Sequence, residues 1–339
     1  MKKPILILLA LVVCSGLILL TLDKLMGSQA KSVHGFQRKF TYTNLIKIKD
    51  YTYEKPIYSI AGSSSKQLFL STASPGEIII LDLDNGTTKT ERINVKEIEK
   101  LNSAFHTTVI YPDIFIAGTN ARKIIRGNLQ TGTMEIFNVS SGPVLSAVIT
   151  NRDNTIIRYI DTNSLELYFK QLNFVTGAEG TPVKVAPVAN NDIFAYDGVL
   201  NYDRILKQVS YVNFYCNGVT RFDEEFNKLS RQATIDTMST PKVSVAHLEN
   251  SVTNSAPPTV INKNSSLHDG MLYVQSVLKA DNEKSGAFEN NTVIDMYSND
   301  YRGSFYLPVP TSEIMQFVMM DKGKTAVLTK KGIQLYSLQ

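Results

Sequence analysis

The stretch IIILDLDNGTTKTERI, residues 78 to 93, has the pattern of two β-strands joined by a tight turn. Its first half, Ile78 to Leu83, is apolar and β-prone, whereas its second half alternates polar and longer side chains. Asn85 and Gly86 lie between the halves. An Asn-Gly pair in this position is among the strongest hairpin signals, because both residues tolerate a positive φ. The stretch therefore predicts an antiparallel hairpin.

The same pattern recurs along the chain. IIRGNLQTGTMEIFNV, residues 124 to 139, has the same plan, and its Gly132 follows Gly86 by 46 positions. A third copy turns at Gly177, which follows Gly132 by 45 positions. Each copy is preceded by a segment with the pattern of two more strands, and about four strands per ~45 residues is typical of propeller blades. A β-sandwich is the alternative, but a sandwich has no reason to repeat at this interval.

The number of copies predicts six blades, with seven as the alternative. A weaker fourth copy turns near Glu225, and a fifth turns at Gly303 after a longer interval. A sixth begins at KGIQLYSLQ, where the chain ends before its last strand. Because a ring must close without a free edge, residues 40 to 54 are expected to supply that strand. The predicted fold is all-β, a six-bladed β-propeller of four-stranded antiparallel blades over residues 40 to 339.

The N-terminal segment predicts a membrane anchor. Residues 4 to 22, PILILLALVVCSGLILLTL, carry no charge, and about 20 apolar residues span a bilayer as a helix. We expect a cytoplasmic segment at 1 to 3, a transmembrane signal anchor at 4 to 22 and a tether at 23 to 39; a cleaved secretory signal is the alternative. Lys2 and Lys3 favour the inside, so the predicted location is a bacterial cell membrane, single-pass, with the propeller facing the periplasm or the cell exterior.

Composition excludes some classes of function. The formal net charge is +4 over 339 residues, which is too small and too dispersed to suggest nucleic-acid binding. Apart from Cys14 in the predicted anchor, the only cysteine is Cys216, so we expect no intramolecular disulfide and a buried, inert thiol. DLDNG at 82 to 86 resembles the start of a calcium loop but lacks the distal Glu. No metal or cofactor is predicted.

Three segments carry a resemblance to a known group. YVNFYCNGVTRFDEEFNKLSRQATIDT at 211 to 237, SAPPTVINKNSSLHDGMLYVQS at 255 to 276 and VIDMYSNDYRGSFYLPV at 293 to 309, with the truncated last blade, resemble six-bladed propellers of Bacteroidetes-type bacteria. These belong to the TolB-like and NHL-like propeller superfamily. The resemblance covers most of residues 40 to 339, and it implies an architecture and a helix or lipid anchor rather than a reaction.

Residues 236 to 269 interrupt the blade pattern and are rich in Ser, Thr, Asn and Pro, which predicts an insertion. An insertion of this size in a regular ring is often functional or partner-binding. The candidate ligand- or partner-binding residues in and beside it are Arg231, Asp236, His247 and His268. An internal salt bridge of Arg231 and Asp236 is the alternative for that pair, while His247 and His268 could approach each other.

The sequence thus predicts a membrane-anchored extracytoplasmic propeller that acts as a protein- or ligand-binding or scaffold module, with an unknown protein or small-molecule partner. The alternative is a metal-dependent hydrolase or lyase, with calcium as the expected metal, its site in the central channel and carboxylates at the channel mouth. An electron-transfer accessory protein is a third hypothesis. No side chain is predicted to be catalytic.

Overall fold

The structure is a computed structural model. It describes residues 14–17, 21, 34–41, 45–94, 105–164, 166–184, 194–227, 229–248 and 251–338, with the backbone alone for 245–248 and 251–254. The predicted anchor at 4 to 22 lies outside the described residues except at 14–17 and 21, as does the predicted tether up to residue 33. Within the described part of the chain, we find no helix with the length and apolar character needed to span a bilayer.

Six antiparallel sheets form the blades of the propeller, each with its first strand innermost. The first two blades consist of β2 (Ile57–Ser63), β3 (Gln67–Thr72), β4 (Glu77–Asp82) and β5 (Thr88–Arg92), followed by β6 (Phe105–Ile110), β7 (Asp113–Gly118), β8 (Lys123–Asn128) and β9 (Met134–Asn138). The third consists of β10 (Val144–Ile149), β11 (Asn154–Ile160) and β12 (Leu167–Asn173). Residues 179 to 183 complete the third blade, since Glu179 and Val183 form isolated bridges to β12.

The remaining blades follow the same order. The fourth consists of β13 (Gly198–Asp203), β14 (Gln208–Asn213), β15 (Gly218–Asp223) and β16 (Ser230–Ala233). A separate hairpin of β17 (Val245–Leu248) and β18 (Ser251–Asn254) precedes the fifth. The fifth consists of β19 (Asn262–His268), β20 (Met271–Ser276), β21 (Thr292–Tyr297) and β22 (Tyr301–Leu307), with helix α1 (Ser285–Asn290) between β20 and β21.

The sixth blade closes the ring with a strand from the start of the chain. It consists of β23 (Ile314–Met320), β24 (Lys324–Thr329), β25 (Gly332–Leu338) and, as its outer strand, β1 (Leu45–Tyr51). β1 pairs antiparallel with β25 from Leu45 opposite Leu338 to Tyr51 opposite Ile333. The prediction that residues 40 to 54 supply the missing strand is confirmed, and so is the six-bladed all-β propeller.

The repeated hairpins use a common turn. The Oδ1 atom of Asp82 accepts hydrogen bonds from the backbone N–H groups of Asp84 and Asn85, so this carboxylate serves the turn. Gly86 has a φ of +77°, and the equivalent Gly132 and Gly177 have +70° and +68°. The fifth turn is placed wrongly by the sequence pattern: Gly303 lies inside β22, and the chain turns between Tyr297 and Tyr301.

The apolar run that opens the pattern is continuous because β4 is buried on both faces. Ile78 and Ile80 pack against the second blade, whereas Ile79 and Leu81 pack against the sixth. Successive side chains of a strand point to opposite faces. A middle strand of a propeller blade therefore carries apolar residues at every position instead of at alternate ones.

Residues 34 to 41, which we call the strap, lie against the fifth blade instead of forming part of a free tether. The N–H of Thr41 donates to the carbonyl of Ser304 in β22. Phe36 and Arg38 are buried, and the guanidinium of Arg38 forms ion pairs with Asp295 and Glu283. The predicted tether therefore needs correction at its C-terminal end, because two carboxylates buried in the fifth blade require a buried counter-charge.

The predicted insertion at 236 to 269 also needs correction. Asn262–His268 is β19, the innermost strand of the fifth blade. Its Ser, Asn and His residues look like a loop in the sequence because an innermost strand of a propeller borders the channel and needs few apolar side chains. The insertion therefore ends before Asn262.

Candidate functional site

The six innermost strands surround a central channel. Neighbouring strands contact one another around the ring in the order β2, β6, β10, β13, β19, β23 and back to β2. A cavity of about 300 Å³ lies where these strands end. We call it the mouth cavity, and five of the six blades line it, through Ala61, Gly62, Ser63, Ser64, Thr108, Val109, Tyr202, Asp203, Arg204, Ile205, Leu267, His268, Val318, Met319, Met320 and Asp321.

Polar contacts between neighbouring innermost strands hold the rim of the channel. Gln316 of the sixth blade accepts a hydrogen bond from the N–H of Ile60 in the first blade, at 2.8 Å. Asn201 of the fourth blade donates to the hydroxyl of Ser265 in the fifth, also at 2.8 Å. Lys263 donates its ammonium to the carbonyl of Ile314, the first residue of the sixth blade, at 3.0 Å and to that of Thr311, just before it, at 3.1 Å, and burial lowers the pKa of this amine. These contacts tie the innermost strands together, so the side chains that border the channel are held on a rigid frame.

His268 and Asp321 form an ion-pair contact in the mouth cavity. His268 is the last residue of β19, and its Nε2 lies 3.4 Å from Oδ1 of Asp321 in the turn after β23. Both side chains are partly accessible to water. The pair carries charge on both sides only when the imidazole is protonated.

The carboxylate of Asp203 is occupied by backbone donors. Its Oδ1 accepts hydrogen bonds from the N–H groups of Ile205 and Leu206, and its Oδ2 accepts one from the N–H of Gly270 at 2.6 Å. These bonds fix the turn between β13 and β14 to the turn between β19 and β20. Asp203 is buried, so it positions the cavity wall and is poorly placed to contact a ligand.

Arg204 follows in the same turn and lines the cavity. Its side chain is exposed at the mouth, while the surrounding protein desolvates the guanidinium and lowers its pKa. Among the described residues, no carboxylate forms a salt bridge with Arg204 within 4.0 Å. Tyr202, which also lines the cavity, donates its hydroxyl to Glu224.

The four residues predicted as binding candidates occupy different places. Arg231 is exposed on β16, the outer strand of the fourth blade, opposite Thr220. Asp236 is buried below that strand, where Oδ2 accepts from the hydroxyl of Thr234 at 2.5 Å. Burial, aided by the nearby Asp295, raises the pKa of Asp236. The described contacts of Asp236 hold a turn rather than face the channel.

The two predicted histidines lie on different strands, β17 and β19. His247 lies on β17, opposite Val252, and its side chain is outside the described residues. His268 lines the mouth cavity at the last residue of β19, whereas the insertion that carries His247 enters β19 at its first residue, Asn262. Of the four candidates, His268 is the one that lies in the mouth cavity.

Sequence reasoning missed Arg204 and Asp321. A signal was present, because each follows the innermost strand of a blade, in NYDR and in VMMD, and such turns meet at the channel mouth. Cys216 is buried as predicted, and burial raises the pKa of its thiol. Among the described residues, no group of three or more His, Cys, Asp or Glu side chains is placed to hold a metal ion.

Solved structures share the propeller architecture with this chain. A member of the DUF4221 family from Bacteroides vulgatus is 13% identical, covers 91% of this chain and 97% of its own, and superposes with a TM-score of 0.53. This likeness shows a common fold. Streptogramin B lyase is 13% identical over 87% of this chain and 98% of its own, with a TM-score of 0.49. The extracellular domain of a one-component system from B. thetaiotaomicron is 11% identical, covers 91% of this chain and 38% of its own, and has a TM-score of 0.46.

No protein-family model matches the sequence. No curated protein matches it either. The fold is thus similar to that of a solved Bacteroides structure, in agreement with the architecture implied by the resemblance seen in the sequence.

Proposed function

We propose that this protein is a membrane-anchored, extracytoplasmic propeller that acts as a binding module and takes its ligand in the mouth cavity. The observation that carries the proposal is the cavity itself, in which apolar side chains and polar groups from five blades converge. Ligand sites commonly have this construction. The rigid frame of the innermost strands favours recognition because it limits the entropy lost on binding.

The anchor part of the proposal rests on the uncharged residues 4 to 22. The strap supports it indirectly, since a chain entering the propeller at residue 34 is fixed to the fifth blade by Arg38. An anchor ahead of the strap would therefore hold the propeller close to the bilayer. In this arrangement the ring presents one rigid recognition surface outside the cytoplasm.

The insertion offers a second surface for a protein partner. It leaves the fourth blade after β16 and enters β19 at Asn262, on the face opposite the mouth cavity. Replacing residues 243 to 256 by a short Gly-Ser linker leaves in place the flanking hydrogen bonds from Asn217 to Met238 and from Ile261 to Phe214. Loss of partner crosslinking in this variant, with an unchanged β-sheet spectrum, would support a role for the insertion. Retained crosslinking would rule out a role for the insertion in partner binding.

The hydrolase or lyase alternative predicted carboxylates at the channel mouth. Among the described lining residues these are Asp203, which backbone donors occupy, and Asp321, which contacts His268. No specific contact favours this alternative over binding.

The binding proposal can be tested with a fluorescent reporter, because the chain contains no tryptophan. Ser63→Trp places the single indole at the cavity wall, whereas Ser65→Trp places it on the same turn outside the lining. We expect small polar molecules from a defined library to shift the emission of the first variant and leave that of the second unchanged. If both variants respond alike, or neither responds to any member, the mouth cavity is not the binding site.

The location can be tested with Ser65→Cys. Its exposed thiol should react with a membrane-impermeant maleimide in intact cells, while the buried Cys216 of the parent chain should not. Labelling that appears only after cell lysis would refute an extracytoplasmic propeller. Extraction of the chain from membranes by carbonate would refute the anchor.

A further inference from the structure

The mouth cavity contains a cation whose charge is poorly compensated. Arg204 lines the cavity with an exposed side chain, and among the described residues no carboxylate forms a salt bridge with it. An anion in the cavity could therefore pair with this guanidinium without displacing a carboxylate of the protein. Arginine is suited to this role, because its planar guanidinium can donate two parallel hydrogen bonds to a carboxylate.

The acidic groups around the cavity are paired with other donors and not with this cation. Asp203 accepts three backbone hydrogen bonds, and it belongs to the turn that carries Arg204. Asp321 lies 3.4 Å from the imidazole of His268. Glu224 accepts a hydrogen bond from Tyr202. Each described carboxylate near the site thus has a partner of its own.

The wall combines polar groups with apolar side chains. Ala61, Val109, Leu267 and Met319 are buried and border the cavity, while Ser63, Ser64 and Thr108 add hydroxyls. A volume of about 300 Å³ admits a small organic molecule and lies at the lower end of ligand sites. An inorganic ion would leave these apolar side chains uncovered.

From this arrangement we infer that the ligand of the mouth cavity is a small organic carboxylate, with its carboxylate on Arg204 and its apolar body against Val109, Leu267 and Met319. This inference rests on the proposed function, since it specifies the class of molecule that the binding module takes. His268, held beside Asp321, lies on the fifth-blade side of the cavity and can donate to or accept from a polar group on the ligand.

The test is calorimetric titration of the full chain in lipid nanodiscs with benzoate and hexanoate, their neutral amides, and inorganic phosphate. We expect both carboxylates to bind, with the amides weaker by about tenfold or more, since a hydrogen bond to a charged group contributes about 1.5–3 kcal/mol. Phosphate should also bind more weakly, because it has no apolar body to cover the apolar side chains of the cavity. Arg204→Met should weaken carboxylate binding by a similar factor, and Arg204→Lys should recover part of it. Lys207→Met is the matched control, because Lys207 is exposed in the same turn but does not line the cavity.

The outcomes separate this inference from the proposed function. Equal binding of acids and amides, or unchanged binding by the Arg204→Met chain, overturns the carboxylate assignment but leaves a binding cavity. Phosphate binding as tight as benzoate binding overturns the apolar part of the assignment. If neither carboxylate binds at about 10 mM, while the Ser63→Trp reporter responds to neutral or cationic molecules, the inference fails and the proposed function stands.

Discussion

The strap provides the sharpest test of the structure, through Arg38. Its guanidinium donates to both carboxylate oxygens of Asp295 at 2.8 and 3.0 Å, to Glu283 at 2.5 Å, to the hydroxyl of Ser276 and to the carbonyl of Leu278. The side chains of Arg38 and Glu283 have no exposed surface, and that of Asp295 is 2% exposed. Burial opposes the charge of Arg38, but the two carboxylates outweigh it and raise its pKa.

The perturbation is Arg38→Met, which keeps much of the aliphatic volume and removes every donor. It leaves Asp295 and Glu283 buried without their counter-charge. Breaking a buried pair in this way costs about 3–5 kcal/mol of folding free energy. For a chain of this size, at about 2 °C per kcal/mol, we expect the Tm to fall by about 6–10 °C.

The assay is urea unfolding of the full chain, combined with limited trypsin digestion. Lys39→Met is the matched control, because Lys39 is the exposed neighbour of Arg38 and its loss removes the same charge. We expect the control to unfold like the parent chain. Adding Glu283→Gln and Asp295→Asn to Arg38→Met should recover part of the stability, since the unpaired carboxylates are then gone.

Trypsin reports on the strap itself. In the Arg38→Met chain, cleavage after Lys39 should occur before the propeller unfolds, because the strap has lost its main attachment. An Arg38→Met chain within about 1 kcal/mol of its parent, far below the cost of an unpaired buried charge, would refute the reasoning if residues 34 to 41 also stayed protected.

Three other predictions concern the ring and its turns. Gly332 has a φ of +140°, and a Cβ there would lie 2.0 Å from the carbonyl oxygen of Tyr51. Gly332→Ala should therefore lower the free energy of unfolding in urea by more than about 2 kcal/mol. The control Gly286→Ala, in helix α1, should not lower it. Burial raises the pKa of Asp236 above its unfolded value, so its stabilising contribution is complete below that value and is lost as the pH rises through the folded pKa. The free energy of unfolding of Asp236→Asn should accordingly be at least that of the parent near pH 7. In urea titrations near pH 4, the difference in favour of the variant should shrink. A difference that grows on acidification would contradict this. Lys263→Met removes two hydrogen bonds that link the fifth blade to the start of the sixth. It should lower the free energy of unfolding by about 1–3 kcal/mol in thermal unfolding. No change would show that these bonds do not hold the two blades together.

Much of the architecture could be read from local patterns. The turn chemistry of Asp82 to Gly86 is complete within five residues, and its recurrence at Gly132 and Gly177 counts blades directly. The continuous apolar run of β4 has the same local origin, because both of its faces are covered by neighbouring blades. The closure by β1 followed from one further physical requirement, that a ring leaves no unpaired edge.

The candidate site could not be read in the same way. Arg204, His268 and Asp321 lie in the fourth, fifth and sixth blades. Arg204 and Asp321 each follow an innermost strand, but the sequence does not show which of these turns share one cavity. The sequence pattern favoured the long polar segment from 236 to 269 as a functional insertion, although Asn262–His268 within it is the innermost strand β19. Residues around a channel are brought together by ring closure, so their proximity has no spacing that a sequence could display.

The sequence by itself determined the all-β class, the number of blades and the strand that closes the ring, because hairpin turns and strand patterns depend on residues close together in the chain. Only the tertiary structure decided that Arg38 is an internal counter-charge instead of part of a solvated tether, since its two carboxylate partners lie 245 and 257 positions away. It also decided which polar turns share the mouth cavity. Charge compensation and cavity formation are long-range, and they are settled only when the last strand has paired.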